Sequence, residues 1–141
     1  MMRKTTILLL FFPLALLAQQ EAPFKNANQV IVLSHGSANE LTVQALRTLA
    51  QESYEITYSD KEVGIINANT SITSYANLLL TITAQEGKLI LTGKLYGEVW
   101  GDGVKMDVEV KGRSDNRTKA FSEMQRIGNL LGGYQTLYAE K

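Results

Sequence analysis

Ala76-Asn77-Leu78-Leu79-Leu80-Thr81-Ile82-Thr83-Ala84-Gln85, then Glu86-Gly87-Lys88, then Leu89-Ile90-Leu91-Thr92-Gly93-Lys94-Leu95-Tyr96-Gly97-Glu98, reads as one long hairpin. In the first arm Ala76, Leu78, Leu80 and Ile82 fall on one side, with Asn77, Thr81 and Thr83 largely on the other. A strand turns successive side chains to opposite faces, so this spacing makes one apolar face and one polar face. Glu86-Gly87-Lys88 reverses the chain, and Leu89 to Glu98 runs back beside it. A sheet with a single apolar face needs a cover on that face, and the flanking sequence supplies two.

Upstream, Tyr54, Ile56 and Tyr58 alternate with Glu55 and Thr57, Ser59 to Glu62 makes a turn, and Val63 to Asn69 returns as another strand. Before them, Ser37 and Glu40 are spaced as a capping box, and Leu41, Ala45 and Leu49 recur at intervals of four. Val43, Leu46 and Ala50 widen that stripe into the docking face of an amphipathic helix. The first element, Gln29 to Ser34, carries Val30-Ile31-Val32-Leu33 without polar alternation and predicts a strand buried on both faces. Downstream, Val104, Met106, Val108 and Val110 interleave with Lys105, Asp107, Glu109 and Lys111 as a half-buried strand. Ser114 or Asp115 can cap a last helix whose inward stripe is Phe121, Met124, Ile127, Gly128 and Leu131. Gly132-Gly133 stops it, and Tyr134 to Tyr138 is left as a short tail or edge strand. The order β-α-β-β-β-β-α predicts an α+β domain over 29–141, with an antiparallel sheet of five to six strands and both helices on one face. The polar face of that sheet is left to solvent or to a partner.

The N-terminus has the pattern of a secretory signal peptide. Arg3 and Lys4 precede an apolar run from Ile7 to Leu17, and Ala18 offers a small residue for cleavage. The run is too short for a permanent span, which needs about 20 apolar residues, and Pro13 interrupts it. Residues 1–18 are therefore read as removed on export to the periplasm or beyond the cell. Residues 19–28, polar and containing Pro23, are read as a linker. Losing Arg3 and Lys4 from a chain with fourteen residues of each sign leaves the mature protein mildly acidic, at −2. Nucleic-acid binding draws its affinity from clustered cations that displace counterions, so this balance argues against it. There is no cysteine, hence no disulfide, thiol nucleophile, thiolate zinc site or lipidated cysteine. Such a chain depends on its hydrophobic core for stability.

Three segments together resemble a known family: Asp60-Lys61-Glu62-Val63-Gly64-Ile65-Ile66, Gly87-Lys88-Leu89-Ile90-Leu91-Thr92-Gly93, and Ala120-Phe121-Ser122-Glu123-Met124 leading to Leu130-Leu131-Gly132-Gly133. The chain is similar to small exported bacterial domains of unknown function with a TATA-binding-protein-like, or helix-grip-like, α+β fold. The resemblance implies a fold and an exported location, with no catalytic residues to carry over. The DNA-binding use of this architecture requires a basic concave sheet, which a mildly acidic exported chain does not supply.

His35 is the only histidine, in Ser34-His35-Gly36-Ser37 at a strand-to-helix turn. A base for Ser34 or Ser37 is one reading; a turn in which Ser37 caps the helix and His35 faces solvent is the other. No G-x-S-x-G elbow and no evident orienting acid accompany it, so no catalytic residue, metal or cofactor is expected. Trp100 lies among glycines in Gly97-Glu98-Val99-Trp100-Gly101-Asp102-Gly103. It is either an exposed anchor for a peptide, glycan or membrane surface, or a cover for the sheet edge. Asp102 and Glu98 could hold a cation, but the spaced ligands of a calcium loop are missing. Lys111, Arg113, Arg117 and Lys119 form a basic cluster leading into the last helix, suited either to an anionic envelope polymer or to simple solvation. Asp107 and Glu109 share a face with Lys105 and Lys111, a pattern that guards against edge pairing.

Two functions follow as expectations. One is a non-enzymatic interaction module of the cell envelope or extracellular space, docking an envelope protein or glycan through the uncovered sheet face and Trp100. The other is a carrier that holds an apolar ligand between the sheet and the last helix, lined by Phe121, Met124 and Ile127.

Overall fold

The computed structural model describes residues 19–141, so the signal-peptide reading of residues 1–18 lies outside the described residues. Among the described residues the fold is α+β, with a seven-stranded antiparallel sheet and two α-helices. The strands are β1 (Gln29–Leu33), β2 (Glu55–Asp60), β3 (Ile65–Thr73), β4 (Ala76–Gln85), β5 (Lys88–Tyr96), β6 (Met106–Asp107) and β7 (Gln135–Ala139). The helices are α1 (Ala38–Gln51) and α2 (Asn116–Leu130). Across the sheet the order is β2-β3-β4-β5-β1-β7, with β6 beside β5 past the end of β1.

The β4–β5 hairpin lies at the centre, paired from Gln85↔Lys88 to Asn77↔Tyr96. Ala76, Leu78, Leu80, Ile82 and Ala84 are all buried, as the alternation requires. β1 fits between β5 and β7, pairing with both. That flanking explains why Ile31, on the face away from the helices, is only 5% exposed: its cross-strand neighbours are Ile90 and Leu137. β2 begins the sheet and pairs only with β3.

Both helices cover the same face. Leu41, Ala45 and Leu49 of α1 and Phe121, Met124 and Ile127 of α2 join one cluster with Val30, Ile66, Leu80 and Leu91. Of the capping box, the serine half is formed, with the Glu40 amide donating to Ser37 Oγ at 3.2 Å. Asp115, rather than Ser114, caps α2, accepting from the Arg117 amide at 2.8 Å. At Gly93 a Cβ would come within 2.8 Å of Leu78 Cδ1 and 2.9 Å of Met124 Sδ, so only a glycine lets α2 settle this close to β5.

Several boundaries move. Val63 is 60% exposed in a turn rather than starting β3. Asp60 Oδ1 accepts from the Glu62 and Val63 amides, and Gly64 adopts φ +79 before the strand resumes at Ile65. The strand expected from Val104 to Val110 shrinks to Met106–Asp107, and Val104 is exposed. The cause is competition for the edge of β5: β1 occupies Lys88 to Leu91, leaving only Lys94 and Leu95 to pair with β6. Val108 still donates its amide to Gly93 O, and Val110 exchanges backbone hydrogen bonds with Asn26 and Ala27.

That last contact corrects the linker reading of residues 19–28. Ala27 is fully buried, Phe24 packs on the core, and Gln20 exchanges two backbone hydrogen bonds with Tyr138 at the outer edge of β7. The segment is laid against the domain.

Candidate functional site

Because both helices lie on one side, the other side of the sheet is open, and its side chains follow from strand parity. Cross-strand pairing sets Asn67, Thr81 and Thr92 in one row and Ser71, Asn77 and Tyr96 in another. Thr81 Oγ1 donates to Asn67 Oδ1 at 2.9 Å, and Ser71 Oγ donates to Asn77 Oδ1 at 3.2 Å. Lys94 and Asp107 form an ion pair across β5 and β6.

Three depressions mark this side of the molecule. One of about 330 Å³ lies where β1 begins and β6 ends, bordered by Asn28, Thr81, Thr92, Lys94 and Asp107. A second, about 360 Å³, is bordered by Glu55, Asn69, Ser71, Asn77 and Tyr96. A third, about 270 Å³, lies between Asn77, Tyr96 and the glycine loop that carries Glu98, Asp102 and Lys105. Asn77 and Tyr96 border both of the last two. Asn69 Oδ1 is shut off from solvent and has no hydrogen-bond partner among the described residues.

The residues singled out from the sequence scatter over this frame. Trp100 closes a short 3-10 turn (Glu98–Trp100) and packs half-buried on the core. Asp102 is exposed and borders the third depression. Within the basic cluster, Lys111 Nζ donates to Asn26 Oδ1 at 2.7 Å and lies 3.2 Å from Glu109. Arg117 is held by Asp115 at 2.7 Å and by Glu109 at 3.5 Å. Hydrogen bonding from Arg117 holds the Asp115 carboxyl down at about 2, against the desolvation that opposes it. Two of the four cations are thus committed to internal pairs, while Arg113 and Lys119 remain exposed. A four-cation patch for an anionic polymer does not form.

Phe121, Met124 and Ile127 are 2%, 0% and 0% exposed and belong to the continuous core. Leu78, Met124 and Val108 all come within 3.0 Å of where a Cβ on Gly93 would stand, so the space between the sheet and α2 that an apolar-ligand carrier requires is filled by the protein's own side chains. The carrier expectation is corrected to a closed core.

Sequence reading passed over a network behind the helices. The Tyr54 hydroxyl donates to Glu123 Oε1 at 2.9 Å, and Arg126 donates to both Glu123 oxygens, at 2.7 and 2.9 Å, and to Glu52 at 2.7 Å. Burial, reinforced by Glu123, pushes the Tyr54 phenol far above its ordinary range. Burial pushes the Glu123 carboxyl up, but hydrogen bonds from Arg126 and Tyr54 together outweigh it and hold the group below its usual value. Glu52 and Tyr54 are far in sequence from Glu123 and Arg126, and each looks like an ordinary surface polar residue there. Asn69, Asn77 and Tyr96 were likewise unmarked individually; their only signal was membership of the polar face. Among the described residues no group of three or more acids or histidines could hold a metal ion, and no helix is long and apolar enough to cross a membrane.

No protein-family model matches the chain, and no curated protein matches it. Among solved structures, the chain is similar to a DUF4468 family protein from Bacteroides ovatus, at 14% identity. The likeness covers 84% of this chain and 92% of that one, with a TM-score of 0.48. It carries no functional argument.

Proposed function

We propose that the protein is an exported, non-enzymatic binding module of the cell envelope or extracellular space, and that its working surface is the open face of the sheet. The observation that carries this is the one-sided cover: α1 and α2 both join the core from one face, while the other presents half-buried threonines, asparagines and a tyrosine around three depressions. Half-buried polar groups on a rigid sheet are preorganised, so a ligand meets them at little ordering cost. The helix-covered sheet and the motif segments from Asp60 and Gly87 support placing the chain with small exported domains of TATA-binding-protein-like fold. Support for binding over catalysis comes from the serine-histidine turn: Ser37 is occupied as a helix cap, and His35 stacks on Tyr134 with ring centroids 4.9 Å apart. Export rests on the charged head and apolar run of residues 1–18.

Two measurements test the two halves. N-terminal sequencing of protein fractionated from its host should begin at or near Gln19 in the periplasmic or secreted fraction; cytosolic protein beginning at Met1 refutes export. A photo-crosslinking residue at Thr92, on the open face, should yield a discrete adduct in the native envelope that is absent with the same probe at Arg47, exposed on α1. Adducts from Arg47 alone would move the binding surface to the helical side.

A further inference from the structure

We infer that the two depressions flanking Tyr96 form a binding site for a neutral carbohydrate of at least two sugar units. This rests on the reading of the open face as the binding surface, and names the ligand class at one end of it.

Shape is the first reason. Asn77 and Tyr96 border both depressions, so cavities of about 270 and 360 Å³ adjoin across a single cross-strand pair. Each is near the lower end of the range for small-molecule sites, about 300–1,000 Å³, and together they form a short groove with Tyr96 in the middle.

The chemistry of the lining is the second. Asn69, Asn77, Ser71 and Glu55 offer carboxamide, hydroxyl and carboxylate groups, which can both donate to and accept from neighbouring hydroxyls on a sugar ring. Asn69 Oδ1 is an acceptor already stripped of water and without a donor among the described residues. That atom has no surface a ligand can touch as it stands, so it becomes an acceptor for a ligand hydroxyl when the Asn69 carboxamide turns outward, exchanging an unmade hydrogen bond for a made one. Tyr96 adds an aromatic surface, and the polarised C–H bonds of a pyranose pack favourably on the electron-rich face of such a ring.

Charge narrows the ligand class. Glu55, Glu98 and Asp102 border the groove against Lys105 alone, a field that repels phosphate, sulfate and uronate groups. A peptide is disfavoured for a different reason. Extended peptides are bound chiefly through main-chain hydrogen bonds to a free sheet edge, whereas the strands under Asn69, Asn77 and Tyr96 are already spent in the β3–β4 and β4–β5 ladders, and only the outer edge of β2, at Glu55, is left unpaired. Recognition falls to side chains, which suits a polyol.

The test is a titration of the isotope-labelled protein, followed by amide NMR. Its probes are neutral disaccharides of glucose, galactose, mannose and N-acetylglucosamine in both anomeric linkages, with a sulfated disaccharide and a capped polar hexapeptide alongside. At least one neutral sugar should shift Asn69, Asn77 and Tyr96 saturably, with a dissociation constant on the order of millimolar. Tyr96→Ala should weaken it by about tenfold or more, and Tyr96→Phe, which keeps the ring, by less than about threefold. If Tyr96→Ala loses its cooperative melt, Asn77→Ala replaces it with the same expectation. Silence of these three residues toward every neutral sugar, or preference for the sulfated sugar or the peptide, overturns the carbohydrate site. The open-face reading survives that failure if the Thr92 probe still crosslinks, and falls separately if only Arg47 does.

Discussion

Tyr54 sits where α1 has ended and β2 has not begun, with its hydroxyl turned inward to Glu123. Burial and the neighbouring carboxylate both favour the neutral phenol, so its pKa is raised in the folded state. A group whose folded value exceeds its unfolded value, about 10 for tyrosine, contributes fully below that pH and progressively less above it. Tyr54→Phe should therefore cost about 1 kcal/mol at neutral pH and should flatten the loss of stability above about pH 10. Urea melts of both proteins at pH 7 and pH 11 measure this; an unchanged alkaline slope would place the strain elsewhere. The residue scale is where sequence reading was weakest. Trp100 drew attention for its rarity and its glycines, yet packs on the core, whereas Asn69 has the one unpaired buried side-chain atom among the described residues and looked like any strand polar residue.

Each helix has a readable start. Ser37 and Asp115 accept amide hydrogen bonds from the first turns of α1 and α2, as Ser, Thr, Asn and Asp do at helix N-caps. Asp115 also explains why a helix can begin with Arg117 against its own dipole, because the carboxylate neutralises that cation at 2.7 Å. Asp115→Ala should cost about 1 kcal/mol at pH 7. The Asp115 carboxyl is lowered from 3.8 to about 2, so its contribution is present above about pH 4 and is lost as pH falls through about 2. Thermal melts across pH 2 to 5 should show a steeper acid decline in the parent than in the variant, and parallel declines would contradict this assignment. Among the strands, β4 was legible to the residue because, Leu79 apart, its polar and apolar positions alternate over ten residues. The stretch from Val104 to Val110 alternates as cleanly and forms only a two-residue strand. Periodicity says which face a strand would bury, but a partner edge must be free to receive it, and β1 had taken most of the edge of β5.

At the scale of the molecule, the N-terminal segment acts as part of the fold. Phe24 and Ala27 join the core, while Gln20 and Asn26 bond to Tyr138 and Val110, far away in sequence. Removing residues 19–28 should lower stability by about 2–4 kcal/mol, from lost apolar burial and unpaired backbone groups at Val110 and Tyr138. Chemical denaturation of the shortened chain measures the loss; an identical midpoint would return the segment to the status of a linker. The α+β class, the hairpins, the capped helices and the one-sided greasy face were all determined by the sequence alone, because periods of two and of about four and the chemistry of caps act between near neighbours. Only the tertiary structure decided that β1 lies inside the sheet between β5 and β7, that Lys111 and Arg117 of the basic cluster are internally paired, and that Asn69, Asn77 and Tyr96 share a groove. Those outcomes depend on which distant segments win a shared edge or a shared counter-charge, and that competition is resolved only when the whole chain packs.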